Sequence, residues 1–371
     1  MRDHPIPRFT ALAQSLPPTV PFVGPETQER ARGGAFAARI GANESGFGPS
    51  PAAIEAMARA ASDVWMYGDP ETHDLRHALA QAHGLPPDCL VVGEGIDGLL
   101  GLTVRLLAEP GAAVVTSAGA YPTFNYHVAG FGARLVTVPY SGDAEDPEAL
   151  ADAACETGAR LVYLANPDNP MGSWHGPERI ARLLDALPDG CLLCLDEAYI
   201  ELAPAGTAPP WDMSDPRLIR FRTFSKAQGL AGLRVGWLAT HPELAAGYHR
   251  IRNHFGVGRL AQAAALASLG DRAHLDRVIA AVSASRARIA EIAAANGLSA
   301  LPSATNFVAI DCGRDGAYAR AVLVGLIERG VFVRMPGVAP LDRCIRVSCG
   351  PEPDMAAFAE ALPPALASAA A

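Results

Sequence analysis

The sequence predicts an α/β fold: a mainly parallel sheet sandwiched by helices, followed by a smaller α+β unit. Three observations predict it. Short apolar runs alternate with helical stretches from about residue 89 to residue 240. Those runs are aliphatic at nearly every position, as strands covered on both faces must be. Near Arg250 the pattern changes, and a long alanine-rich helical stretch takes over.

The elements follow in order. Residues 1–40 are proline-rich and weakly periodic and read as an arm that packs with the second unit or a partner subunit. "SPAAIEAMARAASDVW" reads as a helix, with Ser50 as N-cap and Pro51 in the first position. "CLVVG", "AAVVTS", "RLVTVPY", "RLVYLAN", "CLLCLDEAY", "LIRFRTFS" and "RVGWLAT" read as seven strands. "IDGLLGLTVRLLA", "YPTFNYHVAGFG" and "GPERIARLLDAL" read as helices between them. This places a large domain at 41–255 and a small one at 256–371. The small domain opens on "RLAQAAALASLGDRAHLDRVIAAVSASRARIAEIAAANG", one long helical stretch. Strands at "ATNFVAIDC", "VFVRMPG" and "CIRVSCG" follow, with a helix at "AYARAVLVGLIERG". The tail "ALASAAA" is expected to fray.

Composition narrows the function. The 371 residues carry a formal charge of −9 and no Lys/Arg cluster. Nucleic-acid binding needs a basic face, so that class is excluded. The opening "MRDHPIPRFTALAQSL" has no apolar core and predicts no secretory signal. No apolar run reaches the roughly 18 residues that cross a bilayer. Seven irregularly spaced cysteines suit a reducing, cytoplasmic setting. Cys191 and Cys194 form a CxxC, but residues three apart on a strand point to opposite faces, so no metal site is expected.

In an open α/β sheet, ligands bind at the carboxyl ends of the strands. Several polar signals fall there. "CLVVGEGIDGLL" is a strand, a glycine turn and a helix start, whose free N–H groups suit an anion. In "YLANPDNPMG", two Asn-Pro pairs stiffen the turn that presents Asn169. In "CLDEAYIE", Asp196, Glu197 and Tyr199 end an apolar strand, and a carboxylate there needs a cationic partner. "RTFSKAQGLAGLRVGW" sets Lys226 in an apolar, glycine-rich frame that lowers an amine's pKa and leaves it nucleophilic. Lys226 could hold an aldehyde as a Schiff base. Arg234 could hold a phosphate bidentately, and Asp196 could keep a pyridine nitrogen protonated. Together these are the needs of pyridoxal 5'-phosphate (PLP).

With these motifs the chain resembles the fold-type I, class I/II PLP-dependent aminotransferases, most closely the histidinol-phosphate aminotransferase group. The likeness runs from "IGANESGFGPSP" to "CIRVSCGPEP". It implies a fold-type I large domain with a seven-stranded sheet. It also implies catalytic roles for Lys226, Asp196 and Tyr199. Asn169 and Tyr199 would bond the cofactor's ring hydroxyl, and Phe124 would stack on its ring. Ile96 and Asp97 (through backbone N–H groups), Thr223, Ser225 and Arg234 would hold its phosphate. Tyr67 would reach that phosphate in a neighbouring subunit, which implies a homodimer with shared sites. Asn43, Arg334 and Arg346 would face an amino donor and a 2-oxo acid. The chain departs from the pattern at Ile96-Asp97-Gly98, where Ser-Asp-Glu is usual. It departs again at "NHFGVGRLAQ", where His254 and Phe255 stand near the expected substrate pocket, and at Phe124, commonly a tyrosine. Decarboxylation or oxidative deamination on the same frame is the alternative reading. A non-catalytic PLP-fold module is disfavoured, because Lys226 is present and no basic helix-turn-helix precedes it.

Overall fold

A strand with aliphatic side chains on both faces of its pleat must be covered on both, and this chain builds its main sheet from seven such runs. The computed structural model describes residues 8–18 and 22–370. Residues 1–7 and 19–21 of the expected arm, and Ala371 of the tail, lie outside the described residues. In chain order the strands are β1 (Ala38–Arg39), β2 (Leu90–Gly93), β3 (Ala113–Ser117), β4 (Arg134–Val138), β5 (Leu161–Ala165), β6 (Leu192–Asp196), β7 (Leu218–Thr223), β8 (Gly236–Thr240), β9 (Ser299–Ala300), β10 (Phe307–Asp311), β11 (Val331–Phe332) and β12 (Cys344–Ser348).

Strands β2 to β8, the seven expected from the sequence, form one sheet in the order β2-β8-β7-β6-β5-β3-β4. Neighbours are parallel except at β8, which runs antiparallel to both β2 and β7. Adjacent residues of one strand feed opposite cores. Val114 packs with Leu99, Val104 and Phe221 on one face. Val115 packs with Leu150, Leu164 and Leu193 on the other. The covering helices include Gly95–Leu107, Pro122–Gly130, Pro147–Thr157 and Pro177–Ala186. Three of these four open on proline, whose fixed φ and missing N–H cost nothing in a first turn. Ser50 caps helix Pro51–Ala60 as expected, accepting from the Ala53 N–H.

The second unit pairs β10 antiparallel with β12 and β9, and β1 joins β11 in a parallel pair. Its core gathers Ile289, Val308, Leu326, Val347 and Phe358. Three features differ from the sequence expectation. The alanine-rich stretch is two helices, Arg259–Gly270 and Arg272–Ala295. They part at Asp271, whose carboxylate accepts from the His274 N–H at 3.1 Å and starts the second. The first helix packs on Pro51–Ala60 and His73–His83, in one cluster with Leu90 and Trp237. It therefore sits with the main sheet, past the boundary drawn at 255/256. The tail is also ordered through Ala370 in helix Glu352–Ala370. Ala365 is buried there, and the Ser368 hydroxyl accepts from Arg329 at 2.9 Å. Among the described residues no helix is long and apolar enough to cross a membrane.

One buried charge cluster sits directly beside the C-terminal end of β6. Glu197 is fully buried and accepts from Arg220 (Nε 3.0 Å, Nη2 2.7 Å) and from Arg222 Nε at 2.9 Å. Burial alone would raise its pKa, but the two guanidinium groups outweigh burial and hold it low. Arg220 in turn lies 3.7 Å over the Trp211 ring. Glu197→Ala would leave buried Arg220 without a carboxylate and Arg222 with Glu201 alone, at 3.7 Å, and we expect a loss of about 3–5 kcal/mol in stability. Urea unfolding of the variant checks this; a loss under about 1 kcal/mol, the range of an exposed ion pair, would contradict it.

Candidate active site

The site forms where the C-terminal ends of β5, β6 and β7 meet the second unit. Asp196 ends β6 and is 5% exposed. Tyr163, two residues before the end of β5, donates to its carboxylate at 2.7 Å. The Ala198 N–H donates at 3.0 Å. Burial raises the Asp196 pKa to about 6 despite these bonds and the charge of Lys226. A carboxylate so placed is short of a cation.

Lys226 follows β7 at the floor of the site. Its Nζ donates to the Asn43 carbonyl at 3.0 Å and stands 5.6 Å from the Tyr199 ring centroid. No salt bridge holds it among those of the described residues. Burial, then the charges of Arg346 and Arg234, pull the amine down to about 8. It therefore keeps a neutral, nucleophilic minority near neutrality that an ordinary lysine lacks.

The anion cup assembles from three segments. Helix Gly95–Leu107 points its first N–H groups, including those of Ile96 and Asp97, at one place. Thr223 and Ser225 bond each other through their hydroxyls at 2.9 Å. Arg234 Nη1 approaches the Ser225 hydroxyl at 3.4 Å and donates to the Ala231 carbonyl at 2.9 Å. The cup is cut to fit. A Cβ on Gly95 would stand 2.5 Å from Arg234 Nη2, and one on Gly236 would stand 2.9 Å from the Ile96 nitrogen.

On the other side stand the residues expected to face substrate. Arg346, in β12, donates from Nη1 to the Asn169 amide oxygen and from Nη2 to the Gly41 carbonyl at 3.3 Å. Its Nε is buried and has no partner. Burial brings its pKa down to about 10, with Arg334 pushing the same way. Arg334 and Arg346 oppose each other across an antiparallel bridge, so their side chains leave on one face. Arg334 lies half-buried over the Phe22 ring and donates to the Val23 carbonyl at 3.1 Å. Asn43, at φ +57°, donates from its side chain to the Tyr199 hydroxyl at 3.1 Å.

The structure thus brings together Asn43, Ile96, Asp97, Asn169, Asp196, Tyr199, Thr223, Ser225, Lys226, Arg234, Arg334 and Arg346. It sets two residues apart. Tyr67 is 76% exposed on the surface, stacked on Phe255 with ring centroids 4.5 Å apart. Phe124 is fully buried and stacks on Tyr163 at 4.4 Å, so it presents no open face. Tyr121 stands closer in. The charges of Asp97, Asp196 and Arg234 all act on its hydroxyl, which burial pushes up to about 12. The sequence reading passed over Tyr121 and Tyr163. Tyr163 left a signal: a lone phenol in an aliphatic strand must find a partner.

A protein-family model described as aminotransferase class I and II matches residues 39–362. Histidinol-phosphate aminotransferase 1 of Nitrosococcus oceani is 36% identical over 352 residues, 94% of each chain. The histidinol-phosphate aminotransferase of Roseiflexus castenholzii is 36% identical, over 84% of this chain and 85% of the relative. The crystal structure of the Sinorhizobium meliloti histidinol-phosphate aminotransferase in complex with pyridoxal-5'-phosphate is 56% identical, with a TM-score of 0.96, covering 98% of this chain and 99% of that one. Thermus thermophilus aspartate aminotransferase with maleate shares the fold, with a TM-score of 0.82 at 20% identity over 97% of this chain.

The buried amine yields a prediction for the cofactor-free protein. Lys226 ionises near 8 when folded against an ordinary 10.5. Between those values the unfolded chain binds the extra proton, so stability rises with pH across that window and gains nothing further above it. Lys226→Met should lack this increment. Denaturant midpoints measured from pH 7.5 to 10.5 on both proteins test it; parallel curves would refute it.

Proposed function

The chain belongs to the class I and II aminotransferase family, and from that premise we propose that it moves an amino group from histidinol phosphate to a 2-oxo acid such as 2-oxoglutarate, with PLP as its cofactor. The reading divides the chain into an N-terminal arm, a large cofactor-bearing unit and a smaller C-terminal unit. It places the enzyme in the cytoplasm.

The residues fit PLP on three counts. The cup at Gly95, Thr223, Ser225 and Arg234 suits a phosphate, and its glycines leave the room a Cβ would fill. Asp196 lacks a cation and suits a protonated ring nitrogen. Lys226 supplies an amine that is partly neutral. When bound, PLP draws electrons from the donor's α-carbon and so makes its proton removable.

The chain's own groups do the rest. Asp196 holds the proton on the ring nitrogen, and Tyr163 keeps that carboxylate in place. Lys226 Nζ takes the donor's α-proton and returns a proton on the other side of the transfer, acting as base and then acid. Tyr199 and Asn43 fix the wall beside it. Arg346 grips the substrate's anionic group through its guanidinium. Asn169 holds the Arg346 guanidinium in orientation.

The observation that carries the substrate is the pair Arg334 and Arg346, facing each other across an isolated antiparallel bridge. Two guanidinium groups suit a phosphate dianion, whereas a carboxylate needs one. The test adds single donors, without a keto acid, to the purified holoenzyme and follows its visible absorption. Histidinol phosphate should change the spectrum at far lower concentration than glutamate, arginine or aromatic amino acids. A response to amino acids alone would defeat the substrate reading, and a response to none would favour a PLP reaction other than transamination.

The reading also includes a homodimer with shared sites, in which Tyr67 serves the partner's cofactor phosphate. The support is an exposed apolar surface: Val64, Trp65, Tyr67 and Phe255 are 58%, 80%, 76% and 47% exposed. Exposed apolar side chains of this size, with Tyr67 and Phe255 stacked together, suit an interface. Lys226→Ala protein should fold yet not turn over. Mixed with Tyr67→Phe protein under subunit exchange, it should regain activity in the heterodimer. No recovery despite confirmed exchange would rule out shared sites.

A further inference from the structure

We propose that His127 is a positioning residue for the phosphate cup: by donating a hydrogen bond to the Asp97 carboxylate it keeps that group turned away from the bound phosphate. This rests on the reading of the cup as the PLP phosphate site.

Asp97 is an acid in the first turn of helix Gly95–Leu107. A first-turn carboxylate is drawn to the same free N–H groups and the same positive helix end as a bound anion. Asp97 and a phosphate therefore compete for one place. A helix that uses this end for phosphate must keep the carboxylate occupied elsewhere.

His127 does that from helix Pro122–Gly130. Its Nε2 lies 3.3 Å from Asp97 Oδ1. A carboxylate only accepts, so Nε2 is the nitrogen that carries a proton. The pair is partly enclosed, with side-chain exposures of 20% for His127 and 39% for Asp97.

The imidazole is seated by the helix it serves. A Cβ on Gly101 would stand 2.9 Å from both Cε1 and Nδ1 of the ring. Gly101 lies four residues after Asp97 and so on the same helix face. One ring thus spans that face, from Gly101 to Asp97, and any larger residue at 101 would displace it. Among the described residues His127 is the side chain that hydrogen-bonds this carboxylate.

The test titrates full-length cofactor-free protein with PLP and with pyridoxal, which lacks the phosphate, following visible absorption. His127→Ala should raise the half-saturating PLP concentration roughly tenfold, the scale of one unscreened charge near the ligand, and leave pyridoxal binding unchanged. His127→Asn, whose amide still donates, should stay close to wild type. Asp97→Asn in the His127→Ala chain should restore PLP affinity by removing the competing charge. Gly101→Ala in the same chain refills the space without touching that charge, and should not restore it. Equal losses for PLP and pyridoxal, or rescue by Gly101→Ala alone, would assign His127 to packing and overturn the inference. Wild type that binds PLP no better than His127→Ala would overturn it too. Wild type that binds neither ligand would overturn the cofactor reading itself.

Discussion

One residue ties the two sheets together. Asn43 donates its backbone N–H to the Ser348 hydroxyl at 3.0 Å and its side-chain amide to the Tyr199 hydroxyl at 3.1 Å. Its carbonyl accepts from Lys226 and from Asn306, both at 3.0 Å. Tyr199 and Lys226 belong to the large sheet's loops, Asn306 lies just before β10, and Ser348 ends β12. The knot needs a left-handed backbone, φ +57°, which asparagine tolerates better than most side chains. The position of Arg346 follows from it, because β12 ends at Ser348. Removing Asn43 would free the lysine from its acceptor and the β12 end from its clamp in one step.

Around this knot the site keeps its charges under strain. Burial shifts Asp196 up, Lys226 down and Arg346 down, each toward its neutral form. Each shift is a desolvation cost borne by the folded chain. Glu197 shows the contrast: equally buried, it holds two guanidinium groups and stays ionised. The structural acid next in sequence to Asp196 is satisfied, and Asp196 itself is not. A ligand that brings a ring cation, an anion and a carbonyl carbon would relieve these shifts on binding, so the instability of the site is a store of binding energy.

Much of this was legible in the sequence, and the reasons are local. The seven strands showed as aliphatic runs because a strand buried on both faces cannot alternate. Ser50-Pro51 marked a helix start because capping chemistry sits in adjacent residues. Lys226, Asp196, Asn169 and Arg234 stood out because each breaks an apolar or glycine-rich run at a strand end. What stayed hidden depends on distance. The break at Asp271 in the alanine-rich stretch is one short cap inside an unbroken helical pattern. The order of the tail comes from Arg329 and from Ala365 packing against Gly325, far off in sequence. Tyr121 and Phe124 share one short motif, and only packing tells which of them is sealed into the core. Nothing local could pair His127 with Asp97.

The antiparallel strand β8 explains how the cup closes. A parallel strand would leave its carboxyl end, not its entry, beside the end of β7. Running the other way, β8 begins where β7 stops, with Gly236 opposite Thr223. Arg234, in a left-handed conformation just before β8, is thereby delivered over Gly95 and toward Ser225. Gly236 has no side chain because the Ile96 nitrogen and the Arg222 carbonyl lie within 3.0 Å of where one would start. Sheet direction, two glycines and one strained arginine thus make a single anion site from residues more than a hundred positions apart. That site and Asp196 fix the two ends of the ligand space, and Lys226 lies between them because it follows the same strand that carries Thr223.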